Sequence, residues 1–583
     1  MAARRNTGRL RVWAIASTTL LSLALLSAAL LRVQGETPPI QMPSPSLTSP
    51  AAAGTLTIGV TGPITSLHPN APTGSENYLR SFGHRPLSAP DISWTPVCFL
   101  CTTLPTIENG LAKVVRLPQD DDGQGLDVTF TLRPDARWGD GVPVSTTDIL
   151  FTWQVGRTPD IGYPSQEIFR HISSVTPLDD KRFVLHYDRV HYQFNLPYSF
   201  EILPAHIEGP IFGGLADKRQ YRKFSAYTVA PTTPGLWLGP YRLTRYEQNR
   251  EAVFERNPYW TGHAPGFARI VARIYPSAKE ATAALAAGAV DLLQEGVLQY
   301  DDAAVLAQGT NRQLDVRPAA SASYTHIDMN LADGPLTDAR VRQALLLSLD
   351  RSAIAQTLFG DARFVAHSFL APQDPGYDPD IHRYPFDPAQ AAALLEAAAY
   401  RRDTAGNWHD PSGKRFAFVL SVPQPSPKLD RVAALVTAQW QRFGVAVEIA
   451  HVPSLYAVEL PHRDFEAALF TWVVAPEYPP ESMFRRDAIP GPSNNFSGQN
   501  YPGLDDRRMD RLLDDLTIEL NPFQRLSLWK RIQDLYAEVL PALPLFDAPE
   551  IYVVPDWLTG FKPTGHWLPA SAYAEFWGRR ALP

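Results

Sequence analysis

The chain has 583 residues, 45% of them apolar and 19% charged, with 53 Lys and Arg against 60 Asp and Glu for a formal charge of −7. That composition excludes a wholly disordered chain and a nucleic-acid protein built on a basic face. Two cysteines exclude a disulfide-scaffolded miniprotein and any four-cysteine metal site, while 54 prolines without a collagen period predict long irregular connections.

Arg4, Arg5, Arg9 and Arg11 precede an uncharged run from Val12 to Leu31, the layout of an export signal within residues 1–35. Cleavage near Gly35 or Ala29 and retention as an uncleaved anchor are both open, because about 20 apolar residues suffice to span a bilayer. No cysteine follows the run to carry a lipid anchor. Five arginines and no acids fall in residues 1–35, so the remainder carries −12. Residues 36–53 are mostly Pro, Ser and Ala, a tether with little to bury.

Thr55 to Val60 alternates as a strand, and so do residues 126–133, after which Trp138-Gly139-Asp140-Gly141 supplies a turn. Asp148 is expected to cap a helix through Trp153. Ser277 predicts a helix start, Gly288 its end, and 290–293 a strand. Thr337-Asp338 opens a longer helix; Asp350 is expected to cap its continuation to Phe359, which Gly360 ends, and Asp387-Pro388 opens a further helix to about Ala399. Residues 416–452 read as strand, helix, Gly444 stop and strand, a crossover that implies a parallel sheet. Asn521-Pro522 opens the last long helix, to about Val539. Length and pattern together predict three or four domain-sized units of class α/β with antiparallel parts.

The common catalytic and cofactor signatures are missing: no phosphate loop, no Gly-x-Gly-x-x-Gly after a strand, no His-Glu-x-x-His and no Gly-x-Ser-x-Gly. No catalytic residue, cofactor or metal site is therefore expected. Cys98 and Cys101 leave three readings open: a local disulfide, two buried thiols, or redox and metal chemistry. His186 and His191 flank a strand and read as partly buried surface residues. Asn495-Phe496-Ser497 reads as a turn before Gly498, and Asp120-Asp121-Asp122-Gly123 as a solvated hairpin turn. Trp138, Trp260, Trp472 and Trp567 each lie beside or near Pro or Gly, which suits a cleft walled by rings.

The run Phe130-Thr131-Leu132-Arg133-Pro134-Asp135-Ala136-Arg137-Trp138-Gly139-Asp140-Gly141 resembles the signature of family 5 extracellular solute-binding proteins, the oligopeptide-, dipeptide- and nickel-binding components of ABC importers. Gly239-Pro240-Tyr241, Asn257-Pro258-Tyr259-Trp260, Asp338 to Leu345, Asn495 to Gly498 and Pro541 to Leu545 follow in the family's order. The resemblance implies a two-lobed periplasmic-binding fold with a hinge and a central cleft. Domain I would comprise 54–101, 204–317 and 548–583, domain II 102–203, and domain III 318–547. It also implies a periplasmic, monomeric protein that binds short peptides and hands them to permease subunits in the inner membrane. Other readings are a non-peptide cargo (a metal chelate, haem, an opine or an oligosaccharide), a membrane-tethered sensor, and an exported enzyme using Cys98 and Cys101.

By position in the family, Trp472 is a cleft tryptophan, and His326 and Asp328 face the cleft. Thr73 to Ser75 match a loop that pairs with peptide backbone, and Phe546 takes an aromatic position at the lobe junction. Simple packing is the competing reading for each. Peptide binders of the family carry an Asp a few residues after that tryptophan, which pairs with the ligand's α-ammonium. Ala475 stands there instead. Either Glu477 supplies the charge, or the cargo lacks a free amino group at this end, or Glu477 is simply a solvated loop residue.

Overall fold

The structure, a computed structural model, describes residues 53–580 except 70–73, 118–122, 160, 162, 164–165, 198–199 and 310–312. The expected export segment and nearly all of the tether, the Asp120–Asp122 turn and Thr73 lie outside the described residues. No helix among the described residues is long and apolar enough to cross a membrane.

Strand β1 (Ala53–Thr61) buries Leu56, Ile58 and Val60 completely, as its alternation requires. Helix α1 (Gly74–Arg80) follows. The chain then leaves to build a four-stranded antiparallel sheet. Its strands are β2 (Ala112–Arg116), β3 (Gln124–Thr131), β4 (Ile172–Pro177) and β5 (Arg182–Tyr187), in spatial order β2-β3-β5-β4. Between β3 and β4 lies helix α2 (Thr146–Gly156), and here the expected cap is corrected. Ser145 is the N-cap, and Asp148 is the third helical residue of a capping box. The Asp148 carboxylate accepts the Ser145 N–H at 2.9 Å, the Trp138 indole N–H at 3.2 Å and the Ala205 N–H at 2.8 Å. It has a packing role that fixes the turn at Trp138.

Strands β6 (Tyr241–Glu247), β7 (Glu251–Arg256) and β8 (Phe267–Tyr275) return to β1, and β8 pairs parallel with it from Ala53/Phe267 to Thr61/Tyr275. Helix α3 (Ala278–Ala286) starts at its Ser277 cap, and β9 (Leu292–Leu293) completes a sheet ordered β9-β1-β8-β7-β6. Helix α4 (Tyr300–Gly309) leads to β10 (Leu314–Ala319).

Strand β11 (Ser323–Met329) begins the third sheet. Helices α5 (Ala339–Leu347), α6 (Arg351–Phe359) and α7 (Pro388–Ala397) carry the aspartate caps read from the sequence. The expected crossover is present: β12 (Ala417–Pro423), α8 (Pro427–Phe443) and β13 (Ala446–Val452), with the two strands parallel. Then come β14 (Ala467–Val473), α9 (Arg507–Ile518), α10 (Pro522–Val539), β15 (Ala542–Asp547) and β16 (Glu550–Pro555). The sheet order is β13-β12-β14-β11-β15, and β16 pairs back with β10.

Two large apolar cores result. One joins side chains between Leu56 and Leu292 with others from Tyr552 to Trp577; the second draws only on residues 327–548. The fold is mixed α/β and two-lobed. Cys98 and Cys101 are bonded to each other, their Cα atoms 5.0 Å apart.

Gly444 stops α8 with φ +99°, and a Cβ there would run into the carbonyl oxygen of Gly406. Gly444→Ala is expected to destabilise the chain by about 2 kcal/mol or more, read as a lowered urea midpoint at unchanged slope.

Candidate functional site

The strand pair β11–β14 places most of the site residues expected from the sequence. Tyr324 lies opposite Trp472, His326 opposite Phe470, and Asp328 opposite Ala468. Alternation therefore puts Trp472, His326 and Asp328 on one face of the sheet. On that face the His326 ring stacks on Tyr324 at 4.3 Å and meets Phe470 edge-on at 4.5 Å. Its Nε2 lies 3.3 Å from Asp328 Oδ1, and burial pushes the Asp328 carboxyl up. His326 is 1% and Asp328 4% exposed, so both are enclosed. Trp472 stays half-buried, near-parallel to Tyr501 at 6.1 Å.

Phe546 is a correction. It lies opposite Thr325 and therefore on the other face, fully buried in the second core with Phe359 at 5.5 Å. One residue of register decides this: Asp547, opposite Tyr324, faces the Trp472 side instead. Ser75 lies on α1, where its Oγ accepts Gln294 Nε2 at 2.9 Å. Ala475 starts the turn after β14, its carbonyl accepting the Tyr478 N–H at 3.0 Å.

Glu477 is in the left-handed region at φ +53°, and its main chain and side chain are both engaged. Its carbonyl accepts the Tyr192 hydroxyl and Gln193 Nε2, the latter at 3.0 Å. Its N–H donates to Asp374 Oδ2 at 2.9 Å. Arg525 stands over the Tyr192 ring at 4.7 Å, with Nη2 3.9 Å from Glu477 Oε1. The Tyr192 N–H donates to the Thr517 carbonyl at 3.0 Å. This seam joins residues just after β5 to the 474–480 loop and to α9–α10. It encloses a cavity of about 150 Å³ walled by Glu108, Gln193, Asn195, Leu520 and Arg525.

Sequence reasoning did not find Tyr192, Asp374 or Arg525. They lie 285, 103 and 48 positions from Glu477 along the chain.

Past Ala468, β14 is paired on one side only. Strand β12 meets it at Leu420/Ala467 and Ser421/Ala468 and no further, whereas β11 accompanies it to Val473. Val473 at its tip is 63% exposed. A one-sided strand end flanked by an aromatic ring is a place where an extended chain can add as a further strand. Among the described residues no group of three His, Cys, Asp or Glu side chains is placed to hold a metal ion.

Two apolar cores, a seam between segments distant in sequence and a strand end with an open edge define a two-lobed binding protein. The chain belongs to the bacterial extracellular solute-binding proteins, family 5, whose middle-region description matches residues 106–490. It is 24% identical over 526 residues to the oligopeptide-binding protein AppA of Bacillus subtilis, covering 88% of this chain and 90% of that one. Its fold matches the oligopeptide-binding protein of Thermus thermophilus complexed with a pentapeptide (TM-score 0.66, 24% identity, 91% and 98% coverage). It also matches NikA of Brucella suis in complex with Fe(III)-EDTA (TM-score 0.70, 20% identity, 90% and 100% coverage).

Burial, first, and the nearby Glu477 charge push the Asp374 carboxyl up to about 7, against two backbone N–H donors. A folded-state value above the unfolded one of about 4 means the folded chain holds this proton more tightly. The contribution is fully present below pH 4 and is lost as pH rises to 7. Asp374→Asn should therefore flatten the pH dependence of stability over that window. Relative to the parent, the change is on the order of 3 kcal/mol in the difference between pH 4 and pH 7, measured by denaturant titration.

Proposed function

We propose that this chain is the substrate-binding component of an ABC importer, located in the periplasm. It binds a short peptide between its lobes and delivers it, as a monomer, to permease subunits in the inner membrane. It acts by binding and closing, not by catalysis. The observation that carries this reading is the one-sided end of β14, reached by solvent from Thr471 to Val473, beside the half-buried Trp472. A peptide added there has its backbone groups paired by the strand, which suits cargo of varied side chains. The oligopeptide-binding names of the relatives support the same class. The lobes of this reading are domain I (54–101, 204–317, 548–583) with domain II (102–203), and domain III (318–547). The division of the two apolar cores supports that boundary.

One observation favours a second cargo class. Ala475 offers no charge, and the Glu477 carboxylate already lies beside Arg525. A free α-ammonium enclosed at this end would therefore lack a counter-ion, and stranding a buried charge costs about 3–5 kcal/mol. Blocked peptides or non-peptide solutes avoid that cost.

Calorimetry with matched peptides tests both. Free-amino and N-acetylated tripeptides are compared with analogues methylated at one backbone nitrogen. Methylating the nitrogen that meets β14 should weaken binding about tenfold, the worth of one hydrogen bond. Tighter binding of acetylated than free peptides selects the second class. A co-purifying solute without peptide bonds, together with no affinity for any peptide, overturns the peptide reading.

A further inference from the structure

The arm that reaches the seam is anchored at its base. Phe194 belongs to the first core, and its carbonyl accepts the Tyr187 hydroxyl at 3.3 Å. The Asn195 carbonyl accepts the Ser88 hydroxyl at 2.6 Å, and its Nδ2 donates to the Pro105 carbonyl at 2.9 Å. Two residues before Phe194 the chain changes sides. Tyr192 is 6% exposed, and the apolar cluster it joins is otherwise made of residues 324–536, with Phe369, Trp529 and Tyr536 among them. Leu520, in the link between α9 and α10, makes the reverse crossing, packing against the first core as well as against that cluster.

Groups of the chain itself grip the tip of the arm. The Tyr192 hydroxyl donates to the Glu477 carbonyl, and the Tyr192 N–H donates to the Thr517 carbonyl at 3.0 Å. The Arg525 guanidinium lies over the ring at 4.7 Å, with its Nη1 tied to the Glu519 carbonyl at 3.2 Å. Every polar group in this grip can be served by water once the ring withdraws. The Glu477 and Arg525 side chains are each already 16% exposed, and the cavity of about 150 Å³ beside them leaves the contact incompletely packed. Parting here uncovers one ring and leaves both large cores whole, which is the profile of a local opening.

Glu477 connects this grip to the edge of β14. It lies four residues after Val473, and between them the Val474 N–H donates to the Ala322 carbonyl at 2.9 Å. Left-handed backbone is unfavourable for a glutamate, and the bonds to Tyr192, Gln193 and Asp374 offset that cost.

We propose that Tyr192 is a latch between the lobes, closed by the chain's own groups rather than by cargo. Closing it fixes the loop that follows β14, so the edge from Thr471 to Val473 is set before a solute reaches it. Filling that edge and closing the latch favour each other, since both order one short loop. The proposal rests on the two-lobe part of the reading above and is independent of which solute is carried.

The test needs no cargo. The purified full chain, dialysed free of small solutes, is followed by hydrogen exchange and by small-angle scattering. In the parent, amides 189–194 should exchange through a local opening, faster than those of β1. Tyr192→Ala should speed exchange of that segment by about tenfold or more and raise the radius of gyration, with β1 exchange unchanged. Tyr192→Phe and Gln193→Ala each remove one hydrogen bond to the Glu477 carbonyl and keep the ring or its neighbour in place. Both should speed the segment less, in the same direction, and these two decide the matter if β1 exchange shows that Tyr192→Ala has lost its fold. Unchanged exchange at 189–194 in the variants overturns the latch. Faster exchange in Tyr192→Ala with no expansion also overturns it, as that means a loosened ring between lobes that stay together. Exchange of this segment in the parent only at the rate of global unfolding makes the seam a permanent joint and overturns it too. The calorimetry described above tests the peptide reading separately, so the failure of either is told apart from the failure of the other.

Discussion

Period-two alternation along β11 is the constraint on which the site depends. Thr325, Ile327 and Met329 point to one face, and Ile327 and Met329 enter the second core with Leu469 and Leu543 across from Ile327. Tyr324, His326 and Asp328 point to the other, where Tyr324 meets the Tyr536 hydroxyl at 2.5 Å and His326 sits between Tyr324 and Phe470. A strand cannot be shifted by one residue without exchanging these two sets. The ring stack that supports Trp472 and the apolar wall behind the sheet are thus fixed by the same seven residues. They also fix β14, and with it the position of the edge that ends at Val473.

Local signals carried most of the fold. Aspartate caps at 338, 350 and 387, the Asn521-Pro522 start and the stops at Gly360 and Gly444 each describe an interaction closed within about four residues, so the sequence displays them directly. Asp148 was legible as a helix-start residue but not as the third residue of a box, because its other two partners come from Trp138 and Ala205. Helix α9 is not among the expected elements, although Met509, Leu512, Leu513 and Leu516 recur at helical spacing; its dense charges mask the stripe. Phe546 shows the limit of reasoning by position. The bulge between Thr325 and His326 changes which residues of β15 face which core, and no local pattern announces a bulge.

The candidate contact region sets acids between segments far apart in sequence, Asp374 and Glu477 sharing it with Arg525. Charges are expensive to bury unless partnered, and the partners here come from the opposite side of a contact. Such a contact is sensitive to what occupies it. Apolar surfaces pack alike whether or not a solute is present, whereas an unbalanced charge changes the energy of closing. A ligand shifts the open–closed equilibrium only through such a difference.

The one-sided end of β14 has a further consequence. An unpaired strand edge invites pairing with another copy of the chain. Here the accessible edge spans only Thr471 to Val473, and the following loop carries Pro476, Pro479 and Pro480, none of which has an N–H to extend a ladder. The left-handed Glu477 turns the chain away between them. An edge this short offers too little length for a second sheet to register against. Protection against self-assembly is thus built into the same few residues that leave the strand open.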